Sequence, residues 1–169
     1  MRKWLVVIVM VAAFYLDTMF FNLLNLYGIR PDVTLAVIVA LGVLAGSGPA
    51  AILGFISGLL ADILFNKIVG LTALAYMLSG FFAGFFYRKF YADNIIIPTV
   101  LLLICFFVKE HIFLFASLIA GAKPTYFMTL ITYILPSLLL TGGTVILVYL
   151  LLKKTLYKPL WRNEKIDVS

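Results

Sequence analysis

Few side chains in this sequence could carry chemistry, and those few lie inside long apolar stretches. They are Asp17, Asp62 and the tripeptide KEH at residues 109–111. A carboxylate in such surroundings can hold a proton or a cation, or accept a hydrogen bond from another helix. The sequence has no Walker loop, no HExxH, no GxSxG and no paired-carboxylate motif. It therefore predicts a protein that is not an enzyme and that needs no cofactor.

The composition indicates an integral membrane protein. Of the 169 residues, 64% are hydrophobic and 12% are charged, and the mean hydropathy is +1.16. Soluble domains are about half apolar and about a quarter charged. The net charge of +6 does not indicate nucleic-acid binding, because the basic residues flank apolar runs. Cys105 is the only cysteine, and with the lone His111 it predicts no metal site.

The apolar runs predict six membrane helices in a single bundle, since a helix needs about 20 apolar residues to cross the hydrocarbon core. The predicted bundle covers residues 1–152 and is followed by a basic cytoplasmic tail, 153–169. The predicted helices cover about 4–26, 33–46, 49–65, 70–87, 95–120 and 126–152. Because the runs around GSGP are short, residues 33–65 form either two full spans or a re-entrant hairpin.

The distribution of lysine and arginine predicts the orientation. With six spans and a cytoplasmic N-terminus, nine basic residues lie on the inner side and three on the outer side. The three outer ones are Arg30, Lys67 and Lys123. This bias follows the positive-inside rule, so both termini are predicted to be cytoplasmic.

Small residues recur at four-residue spacing on three of the predicted helices. They are Gly42 and Gly46 on the second helix, Ala50, Gly54 and Gly58 on the third, and Gly80 and Gly84 on the fourth. This spacing places them on one face of each helix, where small side chains let backbones approach closely. We therefore expect helices two to four to pack tightly.

The isolated polar residues leave alternatives open. Asp62 either caps the loop before NKIVG, where it can pair with Lys67, or ties two helices together. Asp17 lies about 13 residues into the first helix, deep enough that it should face protein or water. An interhelical hydrogen bond with Ser, Thr or Asn is favoured there over a polar cavity for an ion or proton. For residues 109–111, a kink or the outer membrane interface is the favoured explanation.

Residues 28–84 contain three short patterns: Arg30, Pro31 and Asp32; Gly54, Phe55, Gly58, Leu59 and Asp62; and Gly70, Ala73 and Leu74. In these patterns the segment resembles the rod shape-determining protein MreD family. The resemblance implies a six-helix bundle similar to the substrate-binding subunits of energy-coupling-factor vitamin transporters. It also implies a scaffold in the bacterial inner membrane that binds MreC. The resemblance further implies that it helps couple MreB filaments to the elongation glycosyltransferase and transpeptidase.

Two hypotheses about binding follow. The second helix or the Gly54–Gly58 face, together with the GIRPD loop, is expected to contact MreC, so Gly58→Leu should weaken that association. The alternative function is a transporter subunit that binds a small molecule near Asp17. The Ala-x-x-x-Ala docking motif of such subunits is missing, since Leu16 follows Ala12 by four residues and Asp17 follows Ala13 by four.

Overall fold

The described part of the chain consists of helices joined by short turns and contains no strand. A computed structural model describes residues 3–24, 31–65, 69–87, 96–119, 121 and 130–152. Six helices occupy these segments: α1 Lys3–Leu24, α2 Val33–Ala45, α3 Ser47–Phe65, α4 Leu71–Gly84, α5 Ile96–Ile119 and α6 Leu135–Leu152, the last preceded by a π-helical turn, Leu130–Ile134. This confirms the predicted all-α class. The predicted tail, 153–169, lies outside the described residues.

Three of the helices, α3, α5 and α6, are long and apolar enough to cross a membrane. Helices α2 and α4 have only 13 and 14 residues, which corresponds to roughly 20 Å each at ~1.5 Å per residue. The apolar part of α1, Val6–Met19, is similarly short. Six full crossings therefore stay a prediction.

Helix α2 is the centre of the bundle. Its sequence, VTLAVIVALGVLA, is apolar on every side, a pattern typical of a helix that is buried all round. All but two of its residues are buried, and it packs against each of the other five helices. In the described bundle α2 leaves no free face for a partner's helix, which counts against a binding role for the second helix.

Helices α2, α3 and α4 alternate in direction. Asp32 contacts Tyr76 at one end and Gly42 approaches Ala83 at the other, so α2 and α4 run parallel. Helix α3 runs antiparallel to both. Gly46 forms the link between α2 and α3 with a φ of 97°, a conformation that glycine adopts without strain. Gly46 is therefore placed at a tight turn, and not along the small-residue face where its spacing had put it.

Candidate functional site

The α3–α4 interface is a close contact of backbone on backbone. A Cβ atom added to Gly54 would lie 2.5 Å from the carbonyl oxygen of Tyr76, and one added to Gly58 would lie 2.5 Å from Cα of Ala73. Neither position has room for a side chain. The Gly54–Gly58 face is thus covered by α4 of the same chain, so it is not a free surface for a partner.

The glycines of α4 lie equally close to the backbone of α3. A Cβ atom on Gly80 would lie 2.6 Å from the carbonyl oxygen of Ala50, and one on Gly84 would overlap the backbone of Ser47. On α2, a Cβ atom on Gly42 would lie 2.7 Å from Cβ of Ala83. These glycines were expected either to bind a partner or to pack helices together, and the short distances favour helix packing. We call α2, α3 and α4 the glycine unit.

Asp62 ties α3 to the start of α4. One of its carboxylate oxygens accepts hydrogen bonds from the backbone N–H groups of Gly70, Thr72 and Ala73, at 2.8, 2.9 and 3.2 Å. The first N–H groups of a helix have no partner within the helix, and the helix dipole favours a negative charge beside them. Asp62 is fully buried. This geometry favours the second of the two alternatives, in which Asp62 ties two helices together. Lys67, its other expected partner, lies outside the described residues.

A second carboxylate, Asp32, caps the start of α2. Its Oδ1 accepts hydrogen bonds from the Leu35 N–H and from the Tyr76 hydroxyl, both at 2.8 Å. Its Oδ2 lies 2.7 Å from Nζ of Lys109. Asp32 and its neighbour Pro31 are buried, and the predicted contact of the GIRPD loop with MreC stays a prediction. Arg30 lies outside the described residues.

Asp17 reaches the same turn of α2 from α1. Its two carboxylate oxygens accept hydrogen bonds from the backbone N–H groups of Val33 and Thr34, at 2.7 and 2.8 Å. The sequence predicted an interhelical hydrogen bond at Asp17 with a Ser, Thr or Asn side chain. The structure shows an interhelical bond, but the donors are backbone N–H groups at a helix start.

Thr141 of α6 completes the arrangement, which we call the polar junction: Asp17, Asp32, Tyr76, Lys109 and Thr141. The Thr141 hydroxyl accepts the Asp32 N–H at 3.2 Å and donates to the Ser137 carbonyl at 2.7 Å. The junction therefore joins five helices at the first turn of α2, and α3 is the helix that contributes no side chain to it.

The first turn of α2 has N–H groups of the kind that bind anions at helix starts, but oxygen atoms of the same chain accept their hydrogen bonds. Discontinuous membrane helices in transporters often point such an N-terminus at an anionic substrate. Here the N–H groups of residues 32–36 are all engaged, four by side chains and the last by the Asp32 carbonyl. Among the described residues, no group of three or more His, Cys, Asp or Glu could hold a metal ion. The geometry is that of a structural tie between helices.

Sequence reasoning missed three members of the junction, Tyr76, Thr141 and Lys109. It had noticed Lys109 only as part of the KEH tripeptide. The Lys109 Nζ also lies 3.1 Å from Oε1 of Glu110 and 4.9 Å from the centre of the Phe106 ring. Helix α5 continues for ten residues beyond Lys109, to Ile119, so residues 109–111 do not end the helix, and a kink or the outer membrane interface at these residues stays a prediction. The helical spacing from the buried residues Leu102, Cys105 and Phe106 was the available signal, since it places Lys109 on the same face.

The junction lies well inside the bundle. Helix α1 extends seven residues beyond Asp17 and α5 ten beyond Lys109, roughly 10 and 15 Å at ~1.5 Å per residue. Ionisable groups at such a depth in a membrane protein normally face one another and mark a functional or structural centre. A ring nitrogen of His111 lies 2.9 Å from the Phe107 carbonyl oxygen of its own helix.

Comparison with known proteins gives one match. The family model of the rod shape-determining protein MreD matches residues 1–158 of the 169-residue chain. No curated protein sequence and no solved structure matches it, and the likeness to vitamin-transporter subunits stays a prediction. The family match extends well beyond the patterned segment at 28–84 and covers all six helices. The chain therefore belongs to the rod shape-determining protein MreD family.

Proposed function

We propose that this chain is a non-enzymatic scaffold subunit of the bacterial elongation (rod-shape) complex. In this role it binds MreC and helps couple MreB filaments to the elongation glycosyltransferase and transpeptidase. The observation that carries the proposal is the family match over residues 1–158, because the family is one of shape-determining membrane proteins. Three helices long and apolar enough to cross a membrane support a location in the inner membrane.

The hydrogen bonds and the ion pair made by the buried carboxylates support a scaffold function. The carboxylates of Asp17, Asp32 and Asp62 are directed at backbone N–H groups or at Lys109. These groups hold helices together and present no open set of reactive atoms. Large apolar side chains are exposed on the outer faces of the bundle. Such a surface is suited to lipid and to the membrane helices of other proteins.

The contact with MreC is best placed on the outward face of α1. This helix packs extensively against α2 alone, and Ile8, Tyr15 and Met19 are more than half exposed along it. By contrast, α2 is buried and the Gly54–Gly58 face is covered by α4. A single membrane helix of MreC can lie along α1 without displacing any helix of the glycine unit.

The proposed orientation has both termini in the cytoplasm and six crossings. Three observations support it: the positive-inside bias of the sequence, the parallel course of α2 and α4, and the antiparallel course of α3. In this orientation the starts of α2 and α4 face the outer side, where Asp32 and Asp62 cap them.

The test is co-purification of the tagged full chain from membranes in mild detergent, with bound proteins identified by mass spectrometry. The proposal predicts recovery of MreC together with cell-wall synthases. Replacing Tyr15 of α1 with alanine should lower the yield of MreC, whereas the matched change Phe115→Ala on α5, a side chain with a similar exposed fraction, should not. Recovery of an ATPase-coupled transport module, or of a stoichiometric small molecule without MreC, would overturn the proposal.

A further inference from the structure

The polar junction and its neighbour Glu110 hold more negative groups than positive ones. Three carboxylates, those of Asp17, Asp32 and Glu110, lie there with one ammonium group, that of Lys109. The Lys109 Nζ lies 2.7 Å from Oδ2 of Asp32 and 3.1 Å from Oε1 of Glu110. Its single charge is therefore shared by two carboxylates. If all four groups were ionised, two negative charges would be in excess.

Asp17 is the carboxylate of this cluster that no described cation pairs with, since both ion pairs belong to Lys109. Its oxygens accept the N–H groups of Val33 and Thr34, and the partial positive charge of the α2 start offsets part of a negative charge there. Asp32 caps the same helix start, however, and so competes for that charge. Two ionised carboxylates at one site disfavour each other.

The other helices of the junction bring no second cation to Asp17 from the described part of the chain. Helix α4 provides the phenol of Tyr76, which donates to Asp32, and α6 provides the hydroxyl of Thr141. An ionised carboxylate inside a membrane protein is costly unless a positive group or water faces it. A buried acid in this situation usually becomes neutral by binding a proton.

A buried hydroxyl beside Asp17 provides an acceptor for such a proton. The residue Thr34 is 1% exposed, and its side chain approaches the Asp17 carboxylate. Its Oγ1 has no hydrogen-bond partner in the described part of the chain, although buried hydroxyls nearly always have one. Both Asp17 oxygens already accept N–H groups. A proton on one of them would donate to Thr34 Oγ1 and supply the missing partner.

We propose that the polar junction is a proton-binding site, in which Asp17 is a neutral carboxylic acid at neutral pH and donates its proton to Oγ1 of Thr34. The proton comes from the solvent and forms an O–H bond with one carboxylate oxygen. Both oxygens still accept the N–H groups of Val33 and Thr34. One negative charge then stays in excess, beside the partly positive start of α2. Helix α1 is thus attached to α2 by a neutral acid.

The site makes the stability of the bundle depend on pH. An aspartate in water is ionised at neutral pH, so the folded chain holds one proton that the unfolded chain lacks. Stability therefore falls as the pH rises through the range in which the folded chain releases this proton. Above that range two negative charges are in excess at the α2 start, and the attachment of α1 is weaker. The inference does not depend on which protein the chain binds.

The test is infrared spectroscopy of the full chain in lipid nanodiscs at neutral pH, in the carbonyl region where a carboxylic acid absorbs and a carboxylate does not. The proposal predicts an acid band that is lost in Asp17→Asn and kept in the matched change Asp62→Asn. Carbon-13 in the aspartate carboxyl groups should shift the band, and carbon-13 in the glutamate carboxyl groups should not. A wild-type spectrum without an acid band, or a band that shifts only with labelled glutamate, would overturn the proposal.

A second pair of variants keeps the test decisive if Asp17→Asn does not fold. Thr34→Val keeps the shape of the side chain and removes the acceptor. Thr18→Val is the matched control, because it removes a hydroxyl next to Asp17 that donates to the Phe14 carbonyl. The proposal predicts that Thr34→Val moves the aspartate acid band to higher frequency and that Thr18→Val leaves it in place. A band unmoved by Thr34→Val would contradict it.

Discussion

Asp32 is the residue on which the described contacts between helices converge. Its carboxylate accepts from Leu35, Tyr76 and Lys109, and its N–H donates to Thr141. These partners belong to α2, α4, α5 and α6. A buried ion pair of this kind contributes little net stability, because removing two charges from water costs about as much as their attraction returns. Losing one partner is much worse, since a buried charge is then left alone.

Replacing Lys109 with methionine should therefore destabilise the protein by about 3–5 kcal/mol, the usual cost of breaking a buried pair. The double variant Asp32→Asn/Lys109→Met should recover part of this loss, because neither charge is then left unpaired. The measurement is the unfolding free energy of each variant in detergent, arranged as a double-mutant cycle. Strictly additive losses would mean that the two side chains do not interact.

A separate prediction concerns Asp62, whose carboxylate accepts hydrogen bonds at the start of α4. Replacing it with alanine leaves the buried N–H groups of Gly70, Thr72 and Ala73 without this acceptor, which should cost about 1–2 kcal/mol. Asparagine keeps one oxygen at the same place, so Asp62→Asn is the matched control and should lose less. Thermal unfolding of the two variants gives the comparison. Equal losses would show that the charge, and not the hydrogen-bonding oxygen, is what matters.

Sequence reasoning succeeded with Asp17 and failed with Lys109 for a physical reason. The depth of Asp17 in an apolar run was enough to predict that it faces protein. Its donors were not predictable, because they are free N–H groups at the start of another helix and carry no side-chain signature. Lys109 stood beside Glu110 and His111, and the three together suggested an interruption. The buried face shared with Leu102 and Phe106 was the stronger signal.

At the scale of the helices, four-residue spacing predicted where close contact occurs. Gly54 and Gly58 meet α4, and Gly80 meets α3, at distances that exclude any side chain. Spacing defines a face of a helix but does not identify the neighbour that covers it. The same pattern therefore fitted an internal interface and a partner interface equally well, and the structure fills it internally.

The substitution Gly58→Leu tests this interface. A leucine at residue 58 would collide with the backbone of Ala73, so we expect a loss of about 1–3 kcal/mol or more, typical of overpacking. Gly143→Leu is the matched control, because a side chain at Gly143 meets open space. The melting temperatures of the two variants in detergent should differ clearly. Similar values for both would show that α3 and α4 are not closely packed at Gly58.

At the scale of the whole molecule, hydropathy predicted the six helices, whereas the orientation inferred from the charge distribution stays a prediction. The central position of α2 could also be inferred in part, because its sequence is apolar on every side. Its partners could not be inferred, since they come from all parts of the chain. Gly and Pro predicted a turn before α2, but they carry no signal that Pro31 and Asp32 are buried.

The orientation makes a prediction of its own. A reporter enzyme that is active only outside the cytoplasm should be active when fused after Lys123 and inactive when fused after Ser169. A fluorescent protein that folds only in the cytoplasm should give the reverse pattern. Activity of the external reporter at Ser169 would contradict six crossings with cytoplasmic termini.

The most direct test of the central claim is depletion of this chain from the cell that encodes it, with cell width and sites of new cell-wall synthesis followed by microscopy. The account predicts that cells lose their rod shape and round up as the protein disappears, and that the wild-type chain restores the shape when it is expressed again. Cells that keep a constant width and their normal pattern of wall synthesis after depletion would contradict a scaffold role in rod-shape determination.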